Sequence, residues 1–272
     1  MILEEIVHII PLGIEYDRAI IPFKGKEGFK TNRVYLLTIP QSSKAPFEIV
    51  EEHFEKAERV KNVLKEQNIE VIVVETDLID LLDVMKKISN IVRKEKNSGN
   101  YVYINLSSAG RLTSIGAAFA GMFHNVKTYY VKADRYSKTL QERKKHGITV
   151  SEKRDILFLE NFEIVIPNEL GLKVIVEIYK HGKMKSIDII QFLFGSNVEG
   201  FQNYFGVRER SEKSALLMRL NRTVMEKLEK SGYIIKNKIG RENEYKLTRS
   251  GEYIANLCGL INIDPDEIHK EN

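Results

Sequence analysis

The sequence predicts two domains: an α/β domain with a Rossmann-like, mostly parallel sheet, followed by a winged helix-turn-helix domain. Three observations carry this reading. The 272 residues exceed an average domain and give each part enough chain to bury its own core. The first 132 residues alternate strand-like apolar runs with amphipathic stretches, the pattern of a sheet with helical crossovers. From Leu172 on, three helical patterns precede two short strands around a glycine and a closing helix.

In the first part, the runs Ile2 to Ile10, Arg33 to Ile39, Ile69 to Glu75, Tyr101 to Leu106 and Lys127 to Val131 are of strand length. They are too continuously apolar for half-exposed strands and read as strands buried on both faces. A helix is expected where Phe47, Val50, Phe54, Ala57, Val60 and Leu64 recur at three- and four-residue spacing with Glu and Lys opposite. Two more are expected from about Ile79 to Lys96 and from about Ala109 to Phe123. The stretch Asp134 to Ile148 is polar and charged, and the ILFL and FEIVI segments after it could form a hairpin or connect domains. Pro167 and Gly171 punctuate the passage and place a boundary near Ile166. The expected division is 1–150 for the α/β domain, 151–168 for a linker and 169–272 for the winged helix-turn-helix domain.

In the second part, Leu172 to Lys180 is a short helix stopped by His181 and Gly182. Ser186 is expected to cap the next helix, SIDIIQFLF. A longer helix runs from about Ser211 to Ser231 with Ala215, Leu216, Leu220, Val224 and Leu228 on its apolar side. YIIKNKIGRENEYKLT reads as two strands turning at Gly240, and Ser250 and Gly251 introduce a last helix. The run L-E-K-S-G-Y-I-I from Leu228, then Gly240-Arg241 and Y-K-L-T-x-S-G from Tyr245, resembles the helix-to-wing passage of winged helix regulators.

Composition narrows the possible functions. No apolar run approaches the ~18 residues of a membrane span. The start MILEEIVHII carries acidic residues where a secretion signal needs basic ones, so a cytoplasmic protein is expected. The single cysteine, Cys258, excludes an internal disulfide and a multi-cysteine zinc site. No cofactor or metal is expected. Net charge is +4, but Phe201 to Ser250 holds twelve Lys/Arg against six Asp/Glu, and a local basic excess points to an anionic partner. Ser214, Arg219 and Arg222 on the long helix, with Lys236, Lys238 and Arg241 on the wing, are the candidates for contact with double-stranded DNA. The plainer alternatives are a solvated basic face or a winged helix used for protein contact.

In an open α/β sheet, ligands bind beyond the carboxyl ends of strands where the strand order reverses. The loops after the first and fourth strands, PLGIEYDR and NLSSAGRLTS, are therefore expected to share a crevice. In the second loop small residues let backbone approach a ligand, free N–H groups open the following helix, and Arg111 adds a charge, which suits phosphate or ribose. It matches neither G-x-x-x-x-G-K nor G-x-G-x-x-G, and a serine-rich helix cap is often only a cap.

A first strand ending H-I-I-P-L-G-x-E-x-D-R and a fourth ending Y-I-N-L-S-S-A-G-R resemble the CARF (CRISPR-associated Rossmann fold) domain. Over nearly the whole chain the sequence looks like archaeal CARF transcription regulators with a C-terminal winged helix. The resemblance implies a cyclic oligoadenylate ligand of type III CRISPR defence, most often cyclic tetra-adenylate, bound across a homodimer. Carried over by position, it implicates Leu12, Gly13 and Arg18 in the first loop, and Asn105, Leu106, Ser107, Ser108, Ala109, Gly110, Arg111 and Leu112 in the second. Many members have G-G-T-K or G-T-K where this chain has Ser108 to Arg111.

Two alternatives stay open. One is a metal-independent ring nuclease cleaving cyclic tetra-adenylate, with Ser107, Ser108 or Arg111 as candidate catalytic groups. The other is a transcription regulator that senses a different nucleotide-like metabolite. The fused-ribonuclease motif, an arginine followed after four to six intervening residues by a histidine, is absent, and Glu244-Tyr-Lys246 imitates only part of a restriction-type site within the wing.

Overall fold

The computed structural model describes residues 4–40, 47–161, 166–202, 210–240, 242–262 and 268–270. The chain divides into two compact units, 1–164 with 262–272, and 165–261.

The first unit runs β1 (Ile6–Pro11), α1 (Tyr16–Ile20), a 3-10 turn (Ile21–Phe23), β2 (Arg33–Thr38), α2 (Phe47–Glu66), β3 (Glu70–Glu75), α3 (Leu81–Asn97), β4 (Tyr101–Asn105), α4 (Arg111–His124), β5 (Lys127–Val131), β6 (Arg135–Tyr136), α5 (Leu140–His146), β7 (Thr149–Val150) and β8 (Ile156–Leu159). The second runs α6 (Glu169–His181), β9 (Lys183–Lys185), α7 (Ser186–Gly195), α8 (Arg210–Leu220), a π turn (Asn221–Met225), α9 (Glu226–Lys230), β10 (Ile234–Ile239), β11 (Glu242–Leu247) and α10 (Arg249–Leu257). The chain then returns to the first sheet as β12 (Ile268–Lys270).

The large sheet has the order β12-β3-β2-β1-β4-β5-β8. The five strands expected from the sequence lie at its centre and pair in parallel; β1 adjoins β4, as anticipated, and has β2 on its other side. Ile10, Val34, Leu36 and Val71 on the strands, with Leu12 just past β1, pack with Ala57, Val60 and Leu64 of α2, so the three-and-four spacing does mark its buried side. Asp80 starts α3 by accepting from the Leu82 and Asp83 amides at 2.8 and 3.4 Å, which satisfies donors that a helix start leaves open.

Two differences concern the sheet edges. ILFL, expected within the linker, is β8 and pairs antiparallel with β5. Residues 268–270, expected in the winged helix domain, pair antiparallel with β3. Both cover ladder groups that an edge strand would leave unpaired, a requirement invisible in local periodicity.

In the second unit the helices and the hairpin follow the expected order, with a short strand, β9, completing a β10-β11-β9 sheet. Gly240, at φ +61°, turns the hairpin, where a residue with a Cβ would be strained. Two helix starts differ from expectation. Ser186 is the first helical residue of α7, and Asp188 reaches back to the Lys185 amide at 3.2 Å. Thr248, two residues before Ser250, caps α10 by accepting from Gly251 N–H at 3.1 Å. The long helix is interrupted by the π turn, a form often found at functional sites.

Candidate functional site

The two loops meet. Gly13 N–H donates to the Ser108 carbonyl at 2.8 Å, and the Ser108 hydroxyl donates to the Pro11 carbonyl at 2.8 Å. A Cβ on Gly13 would lie 3.1 Å from that carbonyl oxygen and 3.2 Å from Ala109 Cα, so glycine permits the approach. Because β1 and β4 are parallel neighbours with their other partners on opposite sides, this meeting point lies where the strand order reverses.

The expected site residues separate into framework and rim. Leu12 and Leu106 are buried and extend the ladder past the strand ends through Leu37 O and Tyr129 O. Asn105 is buried, donates to Arg18 O at 2.9 Å and accepts from Ser107 N–H at 2.8 Å and Ser107 Oγ at 2.6 Å. Ser107 Oγ also accepts from Val131 N–H at 3.1 Å. Both serine hydroxyls, and the Asn105 amide, are therefore engaged inside the protein. Gly13 and Ala109 are half-buried, and Gly110, Arg111 and Leu112 are exposed. Gly110 caps α4 in an extended conformation with no side-chain hydrogen bond to the helix, so backbone donors stand at the rim beside the Arg111 cation.

Arg18 is half-buried, and its Nη1 donates to Ser107 O at 3.3 Å and to Tyr130 Oη at 3.0 Å. Tyr130 was not anticipated, since nothing in the sequence pairs the end of β5 with α1. The insert β6-α5-β7 was also not anticipated as part of this region. Glu15 accepts from Thr149 N–H and Oγ1 at 3.1 and 2.8 Å, while Asp17 accepts from Ser151 N–H at 3.1 Å and pairs with His146 Nδ1 at 2.9 Å. These two buried carboxylates tie the first loop to the insert. The alternation of acids in PLGIEYDR was the available signal. Within the insert, a two-pronged Arg135–Glu142 pair at 2.8 and 3.0 Å holds the half-buried Glu142 carboxyl down to about 2.

The small residues of α4 pack inward. Gly116 faces Leu81 and Val84 of α3, and the Thr128 methyl occupies the place of a Cβ at Gly121. The opposite side leaves Leu112, Ile115 and Phe119 exposed by 44, 47 and 38%.

In the second unit Ser214 is exposed on α8 and Arg222 is exposed in the π turn. Arg219 is exposed too, but its Nη1 donates to Gly200 O at 3.0 Å. Lys236 and Lys238 are exposed on β10 and alternate onto the face of buried Ile234, opposite Tyr245 and Asn243. Arg241 lies outside the described residues. Glu244 pairs with Lys183 at 3.2 Å. Among the described residues, no group of three or more His, Cys, Asp or Glu could hold a metal, and no helix is long and apolar enough to cross a membrane.

Residues 6–136 match the family model described as HFX_2341_N-like, N-terminal, and residues 171–259 match DUF6293 C-terminal winged helix domain. No curated protein matches the chain. Among solved structures it is similar to Can2 from Sulfobacillus thermosulfidooxidans in complex with cyclic tetra-adenylate, at 16% identity and a TM-score of 0.40, covering 86% of this chain and 55% of that one. Protein VC1899 from Vibrio cholerae gives 11% identity and 0.39, covering 92% and 64%. Enterococcus italicus Csm6 bound to cyclic hexa-2'-fluoro-hexa-dAMP gives 10% and 0.38, covering 84% and 58%. The chain thus spans less than two thirds of each of these three.

Proposed function

We propose that this chain, which joins an HFX_2341_N-like domain to a winged helix domain of the DUF6293 kind, is a cyclic oligoadenylate-responsive, DNA-binding transcription regulator of type III CRISPR defence. The observation that carries the reading is the Gly13–Ser108 hydrogen bond, which joins the two motif-bearing loops at the reversal point of the sheet. Anionic ligand binds at the rim, against the Arg111 cation, the open amides at the start of α4 and the close-approach backbone of Gly13, Ala109 and Gly110. Asn105, Ser107 and Ser108 act by holding that rim in shape.

A ring of even symmetry suits a two-fold protein, and the exposed Leu112, Ile115 and Phe119 stripe beside the rim is the surface a second copy would cover. In the winged helix, Ser214, Arg219 and Arg222 meet double-stranded DNA through the long helix, and Lys236, Lys238 and Arg241 through the wing. The ligand acts by binding two arrangements of the paired winged helices with different affinity.

The test is a binding screen of cyclic oligoadenylates of different ring size, with and without promoter DNA. One ring size should bind below ~100 μM, about 5.5 kcal/mol, and change DNA affinity. If no ring binds that well, the ligand assignment falls.

A further inference from the structure

A chain of buried polar side chains crosses β1, β4 and β5 and ends on the loop after β4. His8 and Tyr103 are partners on β1 and β4, and Asn105 and Tyr129 are partners on β4 and β5, so alternation puts all four on one face of the sheet. His8, Asn105, Ser107 and Tyr129 are each no more than 2% exposed. The His8 imidazole lies among the rings of Phe23, Phe29 and Tyr103, with centroids 5.1, 5.0 and 5.0 Å away, and its Nδ1 is 3.1 Å from Tyr129 Oη.

The proton inventory fixes the direction of each bond. Asn105 Nδ2 donates to Arg18 O at 2.9 Å and also to the Tyr129 oxygen. That phenol has one proton, and His8 Nδ1 is its acceptor among the described residues. Burial holds the His8 pKa down at about 3, so near pH 7 the ring is neutral and its own proton sits on Nε2. At the other end, Asn105 Oδ1 accepts both Ser107 N–H and Ser107 Oγ–H, and Ser107 Oγ in turn accepts from Val131 N–H. A flipped Asn105 amide would set its NH2 against Ser107 N–H, donor to donor, and its oxygen against Arg18 O. It would also need the Tyr129 proton to turn from His8 toward Asn105, and the Nδ1 acceptor holds that proton in place.

We propose that His8, acting through Tyr129, is a positioning residue of the crevice: by accepting the phenol proton it fixes which way the Asn105 amide faces, and with it Ser107 and Arg18. This rests on the crevice being the ring-binding site, where Asn105 and Ser107 hold the rim in shape.

The full chain tests it at three levels. Nitrogen-15 NMR of the unaltered protein at pH 7 should show His8 protonated at Nε2 and bare at Nδ1, a measurement that needs no substitution. Tyr129→Phe and His8→Phe each keep an aromatic ring and remove one end of the bond. Each should speed hydrogen exchange of the Ser107 amide about fivefold relative to that of buried Val34 on β2, the worth of one neutral hydrogen bond. Each should weaken cyclic tetra-adenylate binding by about fivefold, and the double variant should be no more than about twofold weaker than either, because both act through one bond. A proton on Nδ1, Ser107 exchange or ring affinity unchanged in both single variants, or losses that multiply in the double variant would overturn the positioning role. If the unaltered chain binds no ring, the ligand assignment falls, while the NMR and exchange results still decide whether His8 orients Asn105.

Discussion

Arg18 and Tyr130 are joined twice: the guanidinium carbon lies 5.2 Å from the ring centroid, and Nη1 donates to the phenol oxygen at 3.0 Å. The same nitrogen holds Ser107 O at 3.3 Å, so one cation on α1 braces both the end of β5 and the loop after β4. Its Nε is buried without a hydrogen-bond partner in the described residues. The charge is thus incompletely satisfied by the protein, beside a crevice assigned to an anion.

Arg18→Lys should therefore damage the crevice even though it keeps the charge, because an ammonium cannot reproduce a planar fork. We expect stability to fall by ~1.5–3 kcal/mol, the usual range for a charged hydrogen bond. Affinity for cyclic tetra-adenylate should fall at least about tenfold, or ~1.4 kcal/mol. Urea unfolding and calorimetry read the two effects separately, and full ligand affinity would remove Arg18 from the site.

Ile115→Asp tests the second copy. Ile115 is 47% exposed on the face of α4 that also carries Leu112 and Phe119. In a lone chain the substitution should change stability by no more than ~0.5 kcal/mol, as at other surface positions. In a dimer it buries an unpaired charge, so sedimentation should show a monomer and ring binding should weaken. An unchanged sedimentation coefficient would locate the interface elsewhere or dismiss it.

The two arginines of the long helix should behave differently. Arg222 is exposed and carries no internal hydrogen bond in the described residues, so Arg222→Ala should lower DNA affinity and reduce the salt slope by about one, without altering the melting temperature. Arg219 also anchors Gly200 O, so Arg219→Ala should cost stability as well, about 1 kcal/mol. Salt-dependent binding curves with parallel unfolding measurements distinguish them, and a DNA affinity indifferent to salt would contradict the assignment of both.

His8 makes stability fall toward acid. Its imidazole stacks on Tyr103, with centroids 5.0 Å apart, and touches the Tyr129 hydroxyl at 3.1 Å. Burial takes it from 6.5 down to about 3, and burial with the nearby Lys56 charge takes His53 to about 4. Both lie below the unfolded value, so unfolding takes up protons once the pH drops under 6.5. Stability is fully present above that pH and declines by ~1.4 kcal/mol per unit for each group, or about 2 kcal/mol each at pH 5. Glu142, held to about 2, contributes its own loss only below its ordinary carboxyl range. Urea unfolding at pH 7 and pH 5 should show the decline, and His8→Phe should remove about half of it.

Much of the architecture was legible because its signals are local. A strand buried on both faces must be apolar throughout, and a helix on that sheet must repeat its apolar residues every three or four positions. These rules located the five central strands, the amphipathic α2 and the helices of the winged domain. The neighbouring of β1 and β4 came instead from the common strand order of open α/β sheets, not from any local pattern. β9 escaped notice because Lys-Met-Lys has one apolar residue, and it is a strand only through its pairing with β11. The π turn escaped notice because it leaves the apolar spacing nearly unchanged.

The same division runs through the candidate site. By itself the sequence determined which side chains the two motif-bearing loops offer, while their meeting rested on the common strand order of open α/β sheets. Only the tertiary structure decided which of those side chains are free to act. Ser108 lies beside a helix start in sequence, where a hydroxyl is available to cap or to bind. In the fold it bonds Pro11, 97 positions away, while the neighbouring Arg111 stands exposed. The reason is physical. A buried hydroxyl must find a partner, and that partner comes from whichever distant backbone the packed sheet brings within 3 Å or so, which no local pattern encodes.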